Sequence, residues 1–417
     1  MTTPAATPAE VRDDVATWIG ANWDPDLTLI EWRRRLAASG WAAPSWPIAW
    51  FGRGLPAWSD DLVNDELARV GAVGTPPGAG TGLAAPTILT HGSDTIKGLL
   101  LERILTGEDG WCQLFSEPGS GSDLAGLTTT ARRDGDEWVI DGQKLWSTSA
   151  HHAELGLLLA RTDWDVPKHR GITCFALPMH QPGVEARPVR QMNFHSSFNE
   201  VFLSGARVPD THVIGTPGEG WRVALTTLAH ERRFGSIRRR HFEPAAGRVL
   251  AEAEQESAEY FRVYEWYPQR GGRVDLLRPR STDTGRDVDP IVRQQVAGVL
   301  AMQQIQQWTA RRAQAARALG RAPGAEGSIG KLGTSIVARG AATAHALIGG
   351  ASGMLAGDDA PLCGTIHEVL TSVPAQSIAG GTDEIQHNIL GEQMLGLPRE
   401  PSADRELPFR DVPRTAR

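Results

Sequence analysis

Two stretches of this sequence gather residues able to hold a flat, polar ligand. The first, Trp111-Cys-Gln-Leu-Phe-Ser-Glu-Pro-Gly-Ser-Gly-Ser-Asp-Leu-Ala-Gly126, runs from a strand-like start into a turn rich in glycine and serine. Glycine lets backbone approach a ligand closely, and such a turn leaves N–H groups and hydroxyls free to face it. Alone, it reads as an ordinary surface loop. The second, Asp141-Gly-Gln-Lys-Leu-Trp-Ser-Thr-Ser149, adds an indole and a hydroxyl beside what is expected to be the turn of the next hairpin. An isoalloxazine ring requires an aromatic wall and a few hydrogen bonds to its heteroatoms, and Trp146, Thr148 and Ser116 are of the right kind.

Other strings carry less. His151-His152 has no carboxylate or cysteine at ligand spacing, so a turn or surface role is favoured over a metal. Cys112, Cys174 and Cys363 form neither a CxxC pair nor a disulfide framework, which suggests a reducing compartment. A net charge of -7 argues against nucleic acid, which needs a clustered positive field, and nothing in the charge balance suggests a membrane surface. The start lacks a basic segment followed by an apolar run, so a cytoplasmic protein is expected.

The elements that position these residues follow a change of period. Thr7-Pro-Ala-Glu10 reads as a capped helix start. Helical spacing then continues to about Gly107, marked by Leu29, Trp32, Leu36, Leu99, Leu100 and Ile104, with 74–82 as a loop. From Trp111 the period becomes two, with strands expected at 137–140, 156–160, 172–176, 184–189 and 201–203. After Gly215 the helical pattern returns. Asp289-Pro290 caps a long helix with apolar faces at Ile291, Val292, Val299, Met302, Ile305 and Trp308, and later helices are expected at 329–347, 365–370 and 382–395. All three tyrosines fall in 259–268 with Phe261 and Trp266, read as an apolar patch under a long connection or as an insertion facing substrate or another subunit. The fold class is therefore α+β multidomain: a helical N-terminal domain (1–110), a central β-domain (111–215), a C-terminal helical bundle (216–400) and a tail (401–417).

From about Leu83 to Pro398 the chain resembles the acyl-CoA dehydrogenase family. The likeness rests on Ser116-Glu-Pro-Gly-Ser-Gly-Ser-Asp123, Gly142-Gln-Lys-Leu-Trp146, Ala206-Arg-Val-Pro209 and Ile378-Ala-Gly-Gly-Thr-Asp-Glu-Ile-Gln386, in that order. It implies FAD between the β-domain and the bundle. Phe115, Ser116, Gly121, Ser122, Trp146 and Thr148 would line the flavin, Ser122 also facing CoA, while Gly381, Thr382 and Glu384 lie near it from the other side. The reaction implied is α,β-dehydrogenation of an acyl-CoA or acyl-carrier thioester. A base takes the α proton, hydrogen bonds polarise the carbonyl, and the flavin accepts a hydride.

Two departures qualify the resemblance. Where much of the family has Tyr-Glu-Gly-Thr, this chain reads Ala379-Gly-Gly-Thr382, so the usual base is missing, although the Gly380 N–H can still polarise the thioester. Some branches, the isovaleryl and long-chain types among them, carry the base earlier as Glu followed by Arg. His230-Glu231-Arg232 matches, and Glu231 becomes the candidate base, ahead of Glu384 and of Asp383, which reads as a cap. The Arg-x-x-Phe-Gly motif, which would reach FAD across subunits, is replaced by Arg280-Ser-Thr-Asp-Thr-Gly-Arg286. Arg232-Arg-Phe-Gly235 lies too early to replace it, and Arg238-Arg-Arg240 reads as a charged helix face or a site for CoA phosphates. The resemblance further implies an electron-transfer flavoprotein as acceptor and a homodimer or homotetramer. A catalytically impaired subunit of a heteromeric, steroid-type enzyme and a flavin oxidase or monooxygenase on the same fold are the rival readings.

Overall fold

The computed structural model describes residues 6–234, 239–318, 326–401 and 404–413; for 232–234, 317, 318 and 326 it describes the backbone alone. Two compact units divide the chain. One takes 1–189, 197–263 and 403–417, the other 190–196 and 264–402.

In the first unit, helices α1 (Pro8–Asn22) and α2 (Leu29–Ala38) each start with a capping box, Thr7 with Glu10 and Thr28 with Glu31. The two side chains satisfy backbone N–H groups that a first turn leaves unpaired. With α3 (Trp58–Arg69) they bury Val11, Val15, Ile19, Trp32, Leu36, Val63 and Leu67. The expected loop 74–82 is a loop only at first: a π-helical turn at Gly80–Ala84 leads into α4 (Ala85–His91), and α5 (Asp94–Thr106) follows. Leu100 and Ile104 of α5 are core residues, whereas Leu99 is 47% exposed.

An eight-stranded sheet comes next, comprising β1 (Trp111–Leu114), β2 (Thr130–Asp134), β3 (Glu137–Thr148), β4 (Leu155–Arg161), β5 (Ile172–Pro178), β6 (Val184–Val189), β7 (Phe198–Pro209) and β8 (Val213–Ile214). Its order is β6-β7-β3-β2-β4-β5-β8, with β1 parallel to β4. β4 is buried at every position because its two faces meet different cores, Leu157 and Leu159 one, Leu158 and Ala160 the other. The stretch 141–149 is not a hairpin turn. β3 runs unbroken through most of it, and the turn joining β2 to β3 lies at Gly135, φ +67°. What the stretch contains is irregularity: its register against β7 slips between Ile140 and Asp141 and again between Lys144 and Ser147. Such bulges bend a strand and re-aim its side chains.

Helices α6 (Gly220–Phe234) and α7 (Arg248–Arg262) complete the unit, and Val249, Leu250 and Ala253 of α7 enter the core of α1–α3. Of the tyrosine-rich stretch 259–268, α7 takes the part up to Arg262, and a turn at 263–266 follows. In the second unit α8 (Tyr267–Arg270) and α9 (Leu277–Asp283), with 3-10 turns at Val274–Leu276 and Arg286–Val288, interrupt the expected connection. Helix α10 (Pro290–Ala318) is capped by Asp289, whose Oδ1 accepts from the Ile291 N–H at 2.9 Å. It packs Val292, Val296 and Val299 against Val337, Ala341 and Ala344 of α11 (Glu326–Gly349). Ile291, Ile305 and Trp308 stay 66%, 48% and 59% exposed. Helices α12 (Thr365–Ser372), α13 (Pro374–Ile378) and α14 (Asp383–Gln393) follow.

Candidate active site

The loop after β1 is held by a buried ion pair that sequence reasoning passed over. Lys144 of β3 is 0% exposed, and its Nζ donates to Glu117 Oε1 at 2.9 Å and to the Phe115 carbonyl at 3.1 Å. Glu117 also accepts from the N–H groups of Thr128 and Thr129, at 2.7 and 2.9 Å. Burial pushes the Glu117 carboxyl up, but the Lys144 ammonium and these hydrogen bonds outweigh it and hold its pKa at about 2. The Leu145 N–H closes the link by donating to the Ser116 carbonyl at 2.9 Å. One carboxylate therefore pins both ends of the loop to β3.

On this frame the expected ligand groups take distinct positions. The Phe115 ring is a core side chain, 4% exposed, standing behind the loop and not on its surface. Gly121 and Ser122 are exposed, and a Cβ added at Gly121 would meet nothing within 4 Å. The hydroxyls of Ser116, Ser122 and Thr148 engage no other described residue. Trp146 sits in the second register slip with φ +63°, a strained conformation for a non-glycine residue, and its indole is 54% exposed, edge-on to Phe198 at 5.8 Å. A strained backbone presenting a bare aromatic face beside unengaged hydroxyls fits what a flavin ring requires.

Glu231 lies in the last turn of α6 and is partly buried. Its Oε2 accepts from Gln113 Nε2 of β1 at 3.4 Å. The candidate base is thus tied to the strand that delivers Ser116, and does not stand in bulk water. Arg232 and Arg233, its possible ion partners along the helix, have side chains outside the described residues, and so does all of Gly235.

In the second unit, Gly380 and Gly381 both adopt left-handed backbone, φ +68° and +84°. At Gly381 an added Cβ would stand 2.6 Å from Gln386 Nε2, whereas at Gly380 it would meet open space. Gln386 fixes the turn by donating to the Gly380 carbonyl at 3.0 Å, and no described residue accepts the Gly380 N–H. Thr382 caps α14, accepting from the Ile385 N–H. The cap is therefore Thr382 and not Asp383, which is 4% exposed and ion-paired with Lys331 at 2.7 Å and Arg339 at 3.1 Å. Burial opposes the Asp383 charge, yet Lys331 and neighbouring hydroxyls keep its pKa below the usual range. Glu384 is exposed in the first turn, where backbone N–H and Thr382 lower its pKa.

The arginine strings behave differently from expectation. Arg280 is turned inward, 7% exposed, with Nη1 2.9 Å from Nδ1 of the fully buried His345. Arg238 lies outside the described residues. Arg239 and Arg240 are not helical: the first pairs with Glu254 at 2.7 Å and the second lies over the Phe242 ring. His151 and His152 lie in a turn, and among the described residues no cluster could hold a metal ion. No described helix is long and apolar enough to cross a membrane.

Comparison with known proteins matches this geometry to a class. Family models of the N-terminal, middle and C-terminal domains of acyl-CoA dehydrogenases match residues 7–108, 112–205 and 280–395. The chain belongs to the acyl-CoA dehydrogenase family, FAD-dependent oxidoreductases of CH–CH bonds in acyl-CoA thioesters. It is 34% identical to the acyl-CoA dehydrogenase IpdE1 of Mycobacterium tuberculosis, over 88% of either chain. It is 36% identical to acyl-CoA dehydrogenase FadE34 of the same organism over 87% of its own length, but spans only 46% of that protein. Among solved structures it resembles the Tcur3481-Tcur3483 steroid ACAD at 25% identity and TM-score 0.65, covering 94% of this chain and 98% of that one. The ChsE4-ChsE5 complex of Mycobacterium tuberculosis follows at 25% identity and TM-score 0.64, covering 96% and 100%.

Proposed function

We propose that this chain dehydrogenates an acyl-CoA thioester between its α and β carbons, with Glu231 as the base. The supporting observation is the Gln113–Glu231 hydrogen bond. It ties the α6 carboxylate to the strand that enters the Ser116 loop, while the position where much of the family has its glutamate is here a left-handed glycine. Bound FAD would supply the hydride acceptor. Ser116, Ser122 and Thr148 hydroxyls and the Trp146 indole would bind and orient its ring, and Glu231 would take the α proton; the Gly380 N–H keeps the donor character that thioester polarisation needs. Glu231→Gln tests this directly. Folded, yellow protein that no longer bleaches with substrate is expected, whereas undiminished bleaching moves the base elsewhere.

Gly380 also favours a second reading, in which the chain is one half of a heteromeric enzyme. Two of the solved structures it resembles are named as pairs of different chains, and one of these as a steroid ACAD. The exposed Ile291, Ile305 and Trp308 of α10 suit an apolar contact with another subunit, the same chain or a different one. Expression alone separates the readings: the chain by itself either holds FAD and bleaches it with an acyl-CoA panel, or does so only with a partner. We infer an electron-transfer flavoprotein as acceptor. Rapid reoxidation by air with peroxide release would point instead to an oxidase.

A further inference from the structure

Residues 404–413 lie on the sheet unit through one buried ring. Phe409 is 3% exposed; its N–H donates to the Val166 carbonyl at 2.9 Å, and that of Arg410 to the Trp164 carbonyl at 3.1 Å. The ring lies 3.5 Å from the Arg161 guanidinium and 5.3 Å from the Trp164 ring. Arg161 ends β4 and is 0% exposed. Its Nε donates to the Leu127 carbonyl at 3.1 Å, Nη2 to that of Ala125 at 2.7 Å, and Nη1 to that of Lys168 at 3.1 Å. Ala125 and Leu127 are the exit of the loop 116–123. Lys168 adds a second tie, its Nζ 3.0 Å from both carboxylate oxygens of Asp123 and 3.7 Å from Asp404.

A guanidinium forms hydrogen bonds only in its plane, and its poorly hydrated faces accept aromatic rings. Here three carbonyls occupy the plane and Phe409 covers a face. Without the ring, water reaches a buried charge and competes for the three carbonyl bonds, two of which hold the loop exit. We propose that residues 404–413 form a strap that sets the loop 116–123 through Arg161 and Lys168, which makes Phe409 a positioning residue for flavin binding. The flavin part of this proposal rests on the function proposed above.

In the full-length protein carrying FAD, Phe409→Ala is expected to raise the FAD dissociation constant about tenfold, the scale of a desolvated cation–π contact. Hydrogen exchange at the amides of 120–127 should accelerate while far-UV circular dichroism stays the same, and Phe409→Tyr should restore both. Val15→Ala, in the separate core of α1–α3, should lower the melting temperature and change neither. If Phe409→Ala cannot be purified, Lys168→Met cuts the second tie with the ring in place and should loosen the same amides. Unchanged flavin retention and exchange in Phe409→Ala, unchanged exchange in Lys168→Met, or equal flavin loss in Val15→Ala would each overturn the strap. A wild-type chain that takes up no FAD defeats the flavin reading instead, and the exchange comparison still decides the strap.

Discussion

At the loop 116–123 the shape is set by Glu117 and Lys144, two charges that solvent barely reaches; at the turn 380–382 it is set by two glycines with φ of +68° and +84°. The first device leaves side chains free to meet a ligand, because the ion pair does the holding from behind. The second leaves only backbone N–H groups, because a side chain there would strain the turn. A family position that elsewhere carries a carboxylate is here a turn with backbone donors alone, so on the proposed function the carboxylate comes from another element. In this chain Glu231 of α6 is that candidate.

The largest effect that would sharpen this contrast is on catalysis. Glu231→Gln is expected to slow flavin reduction by roughly a thousandfold, within the range for a lost general base, as followed by stopped-flow bleaching.

Next comes the buried pair. Glu117→Gln leaves the buried Lys144 without its counter-charge, which should cost about 3–5 kcal/mol in urea unfolding, while replacing both partners with apolar residues should cost less. Equal costs would remove the ion pair from its proposed place. The second unit has its own buried group, His345, whose pKa burial lowers to about 4. Because the folded value lies below the unfolded one, near 6.5, its contribution is present in full above that pH and is lost as pH falls towards 4, by about 3 kcal/mol. His345→Gln should flatten stability against pH in that window, and Glu117→Gln should act lower, between 4.5 and about 2.

The smallest effects come from single glycines. Gly381→Ala combines left-handed backbone with a Cβ 2.6 Å from Gln386 Nε2 and should cost about 1–2 kcal/mol. Gly121→Ala meets no atom within 4 Å, so folding stability should stay within about 0.5 kcal/mol of wild type while flavin affinity falls. A destabilised Gly121→Ala would show that this loop, too, depends on its glycines.

Most of the architecture was legible because it follows from local signals. Thr7 with Glu10 and Asp289 before Pro290 announce helix starts, and the change from a helical to a two-residue period locates the sheet. The missing carboxylate at 380 was plain from the motif alone. Other features had no local trace. Glu117 and Lys144 lie 27 residues apart, and nothing in either neighbourhood says that they meet. Periodicity revealed apolar faces on α5 and α10 but not whether they are covered, so Leu99 and Trp308 turned out exposed. The turn expected beside Trp146 is a bulged stretch of β3, since glycine and a polar run signal irregularity without distinguishing a bulge from a reversal. The burial of the Phe115 ring in the core behind the loop likewise has no signal in its neighbours.

The shared core of α1–α3 and α7 also bears on the order in which the protein is built. Val249, Leu250 and Ala253 complete a cluster begun by Val11 and Val15, so a chain emerging from the ribosome has to extend past residue 253 before its first helices find their last partners. Contacts this far apart in sequence slow folding and prolong the exposure of apolar surface, which makes the unfinished amino-terminal half a natural client for chaperones during synthesis.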